Sequence, residues 1–272
     1  MTDLLAFLQT GVGDGLLPWA HQVAAAERFG LSCAQVEETA LTAGFLPARY
    51  QRNRQTIDLT GQLALFHSRV AIIGCGGLGG YLIEELARLG VGTIVAIDPD
   101  VFEEHNLNRQ LLCHPGNLGQ PKVTAALARI AQVNPAVRLL PVRETFTAGN
   151  GSELLQGVQL AVDALDNIPA RLALARVCAD LRIPFVHGAI AGWYGHVASQ
   201  FPGEQTVQEI YASWSEGKGI EQQLGNPAFT PAVVASLEAA EVCKILLGAG
   251  QPLRGRKLVI DLLAMEFHEV GV

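Results

Sequence analysis

Val70-Ala71-Ile72-Ile73-Gly74-Cys75-Gly76-Gly77-Leu78-Gly79 decides how this chain folds. An apolar, β-branched run leads straight into G-x-G-x-x-G, and Leu78 to Leu89 then carries a helical pattern, so the glycines stand between a strand and a helix start. Glycine lets the backbone turn sharply and approach a phosphate, while free N–H groups at a helix start favour negative charge. Asp98 follows the next run, Thr93 to Ile97, where a carboxylate can accept hydrogen bonds from ribose hydroxyls. A glycine turn that merely packs a helix onto a strand is the bland alternative. A nicotinamide-dependent oxidoreductase fits these residues alone equally well.

Outward from the loop, short strand-like runs alternate with helical patterns. Arg138 to Val142, Leu160 to Val162 and Pro184 to Val186 read as strands, and Lys122 to Gln132 and Pro169 to Leu181 as helices. The spacing predicts an α/β fold with a Rossmann-like, mostly parallel sheet and helices on both faces. Beyond Gly192 the pattern turns to antiparallel strands, with a long helix over Ala232 to Leu247 before a final pair, Lys257 to Ile260 and Ala264 to His268. Residues 1–48 read as a small all-helical N-terminal arm and 49–272 as the main domain. In the arm Leu4, Leu5 and Leu8 share a helical face, and Ser32 with Gln35 forms a capping box for a helix running to about Ala43. Glu27 to Gly44 also admits a helix-turn-helix reading, but the acidic Glu37-Glu38 pair falls in the would-be recognition helix, so packing is preferred.

Composition narrows the class. The 272 residues are 49% hydrophobic and 17% charged, a globular balance. Nineteen Lys and Arg against 26 Asp and Glu leave a net charge of −7, which speaks against a general nucleic-acid or anionic-membrane surface. No apolar run is long enough for a membrane span, and Asp3 stands where a leader peptide carries Lys or Arg; a cytoplasmic protein is expected. Five scattered cysteines, none in a C-x-x-C pair, exclude a disulfide framework and a four-cysteine zinc site.

The residues after Asp98 separate the nucleotide readings. Asp98-Pro99-Asp100 leads into Asn106-Leu107-Asn108-Arg109-Gln110, and Gly119-Gln120-Pro121-Lys122 opens the next helix with a lysine. A dinucleotide site has no call for an arginine and a lysine aimed at phosphates, whereas a nucleoside triphosphate does. With Arg49-Tyr50, Asn53-Arg54-Gln55, Asn134-Pro135 and Asp163-Ala164-Leu165-Asp166-Asn167 in order, roughly residues 49 to 270 resemble the MoeB/ThiF/HesA group of adenylyltransferases, related to ubiquitin-activating enzymes.

The resemblance implies ATP- and Mg2+-dependent adenylation of the C-terminal glycine of a small ubiquitin-like sulfur-carrier protein ending in Gly-Gly, serving molybdopterin-type or thiamine-type sulfur transfer. It implies that Gly74, Gly76, Gly77 and Gly79 cradle phosphates and that Asp98 binds ribose, with Asp100 either near it or a solvated strand-end acid. Asn106, Arg109 and Lys122 match the phosphate-contacting set, Gln110 a loop support, Asp166 the Mg2+-associated acid and Asp163 a structural one. Arg54 matches an arginine that reaches into the neighbouring subunit's site, so a homodimer is implied.

The chain also departs from that group. Many relatives hold zinc with two C-x-x-C pairs, yet Gly203 to Ala212 has no cysteine and no second pair follows, so no zinc is expected; His187, His196 and His268 read as core or hydrogen-bonded. Relatives that form a thioester or acyl-disulfide use a cysteine before the late helix. None lies between Cys178 and Cys243, which predicts an acyl-adenylate end point with a separate sulfur donor. Activation of a carboxylate on modified tRNA and a nucleotide-binding scaffold without turnover are the other readings. The arm is not part of the usual core, and dimer support, site cover and partner docking all stay open for it.

Overall fold

The computed structural model describes residues 2–213 and 224–272. Strands β3 (Arg69–Ile73), β4 (Thr93–Ile97), β5 (Arg138–Val142), β6 (Leu160–Asp163) and β7 (Phe185–Ala191) follow β1 (Leu16–Leu17) and β2 (Leu46–Pro47) of the arm; β8 (Tyr194–Gln200), β9 (Arg256–Asp261) and β10 (Glu266–Gly271) complete the strands. One eight-stranded sheet runs β10-β9-β8-β7-β6-β3-β4-β5. The strands from β7 to β5 are parallel, whereas β8, β9 and β10 are each antiparallel to their neighbours. The change of direction comes at β7, where Gly192 at φ +58 and Trp193 turn the chain back into β8.

Both faces of the parallel region are covered, which is why its strands are continuous apolar runs. Helices in the arm are α1 (Thr2–Gly11), α2 (Trp19–Phe29) and α3 (Cys33–Thr42), and α4 (Leu59–Phe66) leads into β3. Val70, Ile72, Ile94, Ala96 and Val162 pack with Leu82 and Leu86 of α5 (Gly77–Leu89) and Ile130 of α6 (Lys122–Val133). On the other face Ile73, Val95, Ile97 and Phe185 meet Phe146, Leu155 beyond α7 (Gly151–Leu154), and Leu174 and Val177 of α8 (Ile168–Leu181). Val207 of α9 (Thr206–Ile210) closes that layer, and α10 (Phe229–Leu247) places Val234, Ala235 and Val242 in the first. The long helix starts before Ala232 because Pro231 stands in its first turn, where a missing N–H leaves no bond unmade.

The arm differs from its all-helical reading, since β1 and β2 form a two-residue parallel ladder. Gly13 and Leu16 exchange backbone hydrogen bonds across a tight turn, and Leu17 is buried. Leu5 is exposed while Leu4 and Leu8 are buried, because position i+1 lies off the i, i+4 stripe. Ser32 and Gln35 close the capping box, with Ser32 Oγ accepting from Gln35 N at 3.2 Å. Glu37 is buried: it accepts from Tyr50 Oη at 2.8 Å and lies 3.2 Å from Arg49. Burial pushes its carboxyl up, opposed by Arg49 and Tyr50.

Candidate active site

A cavity of about 310 Å³ opens at the carboxyl ends of β3, β4 and β6. After β3 the chain builds outward through β4 and β5, then returns across the sheet to lay β6 on the other side of β3. The cavity therefore sits where strand order reverses, the place where open α/β sheets leave a crevice for ligands. Its lining brings together Gly74, Gly76, Gly77, Asp98, Asp100, Arg109, Lys122 and Asp166.

Two glycines explain the shape of the loop. Gly74 has φ +99, and a Cβ there would lie 2.5 Å from the Ala164 carbonyl oxygen. A Cβ on Gly79 would lie 1.9 Å from the Gly74 carbonyl oxygen, so Gly79 lets the helix press against the loop and is absent from the cavity wall. Asp98 is buried and accepts from Cys75 N at 2.7 Å and Asp100 N at 2.8 Å, one bond on each oxygen. Each oxygen keeps a second lone pair for a ribose hydroxyl.

The cations are held in different ways. Lys122 is buried at the start of α6, with Nζ 3.0 Å from Asp100 and 3.8 Å from Asp98. Asp100 itself is exposed and serves as a solvated partner for Lys122, a weak hold that a phosphate can replace. Arg109 uses Nη1 on His105 O and Asn108 Oδ1, both at 3.0 Å, and no carboxylate pairs with it among the described residues. Asn106 does not line the cavity. Its Oδ1 accepts from Glu103 N at 2.9 Å, and its carbonyl accepts from Arg109 N and Gln110 N, so it folds the loop that presents Arg109. Gln110, read as a loop support, lines the cavity against Gly76.

Asp166 lies on the turn between β6 and α8, exposed, with Asn167 Nδ2 at 3.4 Å. Asn167 caps α8 by accepting from Ala170 N at 2.9 Å. Asp163 is structural: Oδ1 accepts from Leu165 N at 2.9 Å and Oδ2 lies 2.6 Å from His187 Nδ1. Burial pushes His187, and more strongly His196, below the ordinary histidine range, so both rings are neutral at pH 7. His268 is exposed, 3.0 Å from Glu266. Arg54 is also exposed, on the turn before α4 and outside the cavity wall.

Sequence reasoning missed Glu144, Thr145, Phe146 and Arg171 in the wall. The first three follow β5, and the rule that ligands meet strand ends would have found them. Arg171 stood inside an apolar helix pattern and gave no such signal. Arg49, Tyr50 and Asn134 prove to be a structural lock, outside the cavity wall. Asn134 Nδ2 donates to Tyr50 Oη and to Ala87 O, both at 2.8 Å, and Arg49 donates to Asn134 and, at 3.2 Å, to Gln22. Cys178 and Cys243 lie on α8 and α10; burial raises both thiols, Cys243 to about 11. No cluster of three or more His, Cys, Asp or Glu suited to a metal occurs among the described residues.

Comparison with known proteins shows the family. The SAMP-activating enzyme E1 of Haloferax volcanii is 35% identical over 82% of this chain and 84% of its own length. The molybdopterin-synthase adenylyltransferase of Escherichia coli is 32% identical over 80% of this chain and 90% of its own. In fold, the crystal structure of E. coli MccB with MccA-N7isoASN matches with a TM-score of 0.69 at 23% identity, over 82% of this chain and 71% of that one. The ThiF family model matches residues 50–272, and on that span and those relatives the protein belongs to the ThiF family.

Proposed function

We propose that this protein is an ATP-dependent adenylyltransferase that activates the C-terminal glycine of a ubiquitin-like sulfur-carrier protein. The observation that carries the reading is the meeting of Arg109, Lys122, Asp166 and the glycine loop in one cavity at the strand-order reversal. The names of the relatives supply the substrate class. A carboxylate oxygen of the carrier attacks the α-phosphorus of ATP, the bond to the bridging oxygen breaks, and pyrophosphate leaves with the electron pair. Negative charge grows on the phosphate oxygens, so the chain contributes positioning and preorganised donors. Backbone N–H groups at the start of α5, the Arg109 fork and the Lys122 ammonium supply them, and Asp98 orients the ribose.

Asp166 fits a magnesium ion: an exposed, acceptor-only oxygen donor beside the phosphate end suits a hard cation that usually binds one or two carboxylates together with phosphates. Such an ion neutralises charge on the phosphate oxygens. The raised thiols of buried Cys178 and half-buried Cys243 favour an acyl-adenylate as the end point, with sulfur brought by another protein. Scattered free thiols and ATP dependence favour the cytoplasm. Among the described residues no helix is long and apolar enough to cross a membrane.

The test is exchange of labelled pyrophosphate into ATP. We expect exchange only with a carrier ending in Gly-Gly and none when the last glycine is removed; no exchange with any such carrier overturns the reading. Arg54, exposed and outside its own cavity, favours service in a second copy's site. Mixing inactive Arg54→Ala and Lys122→Ala chains should then restore exchange, and a mixture as inactive as its parts contradicts a role in trans.

A further inference from the structure

Leu165, the residue before Asp166, is held at both of its backbone polar groups by side chains. Its N–H donates to Asp163 Oδ1 at 2.9 Å and its carbonyl accepts from Arg171 Nη2 at 2.6 Å. From there the bonds close on themselves. Arg171 Nη1 donates to Tyr211 Oη at 2.9 Å, Tyr211 Oη lies 3.2 Å from His187 Nε2, and His187 Nδ1 lies 2.6 Å from Asp163 Oδ2. With His187 protonated on Nδ1, every link has one donor and one acceptor, and the ring returns to Asp163 and Leu165. It joins β6, β7, α8 and the residue after α9, and all three side chains on its charged and imidazole links, Asp163, Arg171 and His187, are buried.

We propose that Arg171 is a positioning residue, whose guanidinium locks the Leu165 turn and so fixes where Asp166 presents its carboxylate to the nucleotide's magnesium. Asp166 has only the 3.4 Å contact with Asn167 to orient it among the described residues, so its place is set by the backbone that carries it. Arg171 also lines the cavity wall, which puts the lock next to the group it aims. A guanidinium can serve Leu165 O and Tyr211 Oη together because its N–H donors diverge in a fixed plane; an ammonium on a flexible stem cannot hold the same two acceptors in one geometry. Residues that orient a metal's ligands typically carry about 10–100-fold in metal affinity.

The inference rests on the reading of Asp166 as the metal-associated acid, and the test separates the two. ATP binding is measured by calorimetry with Mg2+ and with EDTA for the wild type, Asp166→Ala, Arg171→Lys and Tyr211→Phe. Wild-type affinity should rise with Mg2+, and Asp166→Ala should lose that gain. Arg171→Lys should lose about tenfold or more of it, and Tyr211→Phe, outside the cavity wall, severalfold, with its affinity in EDTA within about twofold of the wild type. If Arg171→Lys does not fold, Tyr211→Phe carries the test, since it opens the ring and leaves the guanidinium in place. Retention of the full Mg2+ gain in the ring variants, with loss in Asp166→Ala, overturns the positioning role alone. An equal loss with and without Mg2+ also overturns it, since that is what a purely structural arginine produces. Retention of the gain in Asp166→Ala overturns the metal reading and the proposal with it.

Discussion

Glu238 on α10 is buried against Gly188 of β7, and neither carboxylate oxygen has a hydrogen-bond partner among the described residues. Burial, with Asp163 and Glu85 adding to it and Arg171 opposing, drives its carboxyl well above the usual range, so the folded protein holds it neutral. A raised folded-state value means the unfolded chain releases a proton that the folded chain keeps. Stability is therefore full below the unfolded carboxyl range near pH ~4 and falls as pH rises toward the folded value. Thermal melts should show the wild type losing stability from pH 5 to pH 8, with Glu238→Gln losing distinctly less; parallel slopes for the two contradict a neutral Glu238. The same scale shows what a sequence reveals about a site. Gly74, Asp98 and Lys122 were legible as residues of one cavity because their chemistry and their neighbours along the chain point the same way. Asn106 was legible as a motif residue, but its place off the cavity wall was not, because its side-chain oxygen turns back onto its own loop. Gln110 and Arg171 were missed as wall residues because their facing partners are distant along the chain.

At the scale of elements, the arm is fastened to the sheet domain by Tyr50. Its hydroxyl donates to Glu37 of α3 and accepts from Asn134, which in turn holds Ala87 of α5. Tyr50→Phe leaves Glu37 and Asn134 with buried unmade bonds, a cost of about 1–3 kcal/mol. Each kcal/mol lowers the melting temperature of a chain this size by about 2–4 °C. Calorimetric scans should show that drop with ATP affinity unchanged, and an unshifted transition contradicts the fastening. The parallel strands and their helices were readable from the sequence because runs such as Thr93–Ile97 end at clear turn residues. The β1–β2 ladder was not, since two residues carry no period and their pairing is set by contacts across the whole arm.

Across the whole molecule, the decisive feature is the return of the chain from β5 to β6, which leaves a crevice between the glycine loop and the Asp166 turn. The α/β class follows from the alternation of strands and helices, but strand order is a property of the closed fold. For that reason Arg171, inside a helix pattern, could not be assigned to the same wall from the sequence alone. The central claim is that ATP and a carrier carboxylate react in this crevice under Arg109, Lys122 and Asp166. It is tested most directly by carrier-dependent pyrophosphate exchange in Lys122→Ala and Asp166→Ala, with melting temperatures recorded alongside. Losses on the order of 10²-fold or more are expected in chains that remain folded, and exchange rates equal to the wild type in either variant would contradict these roles.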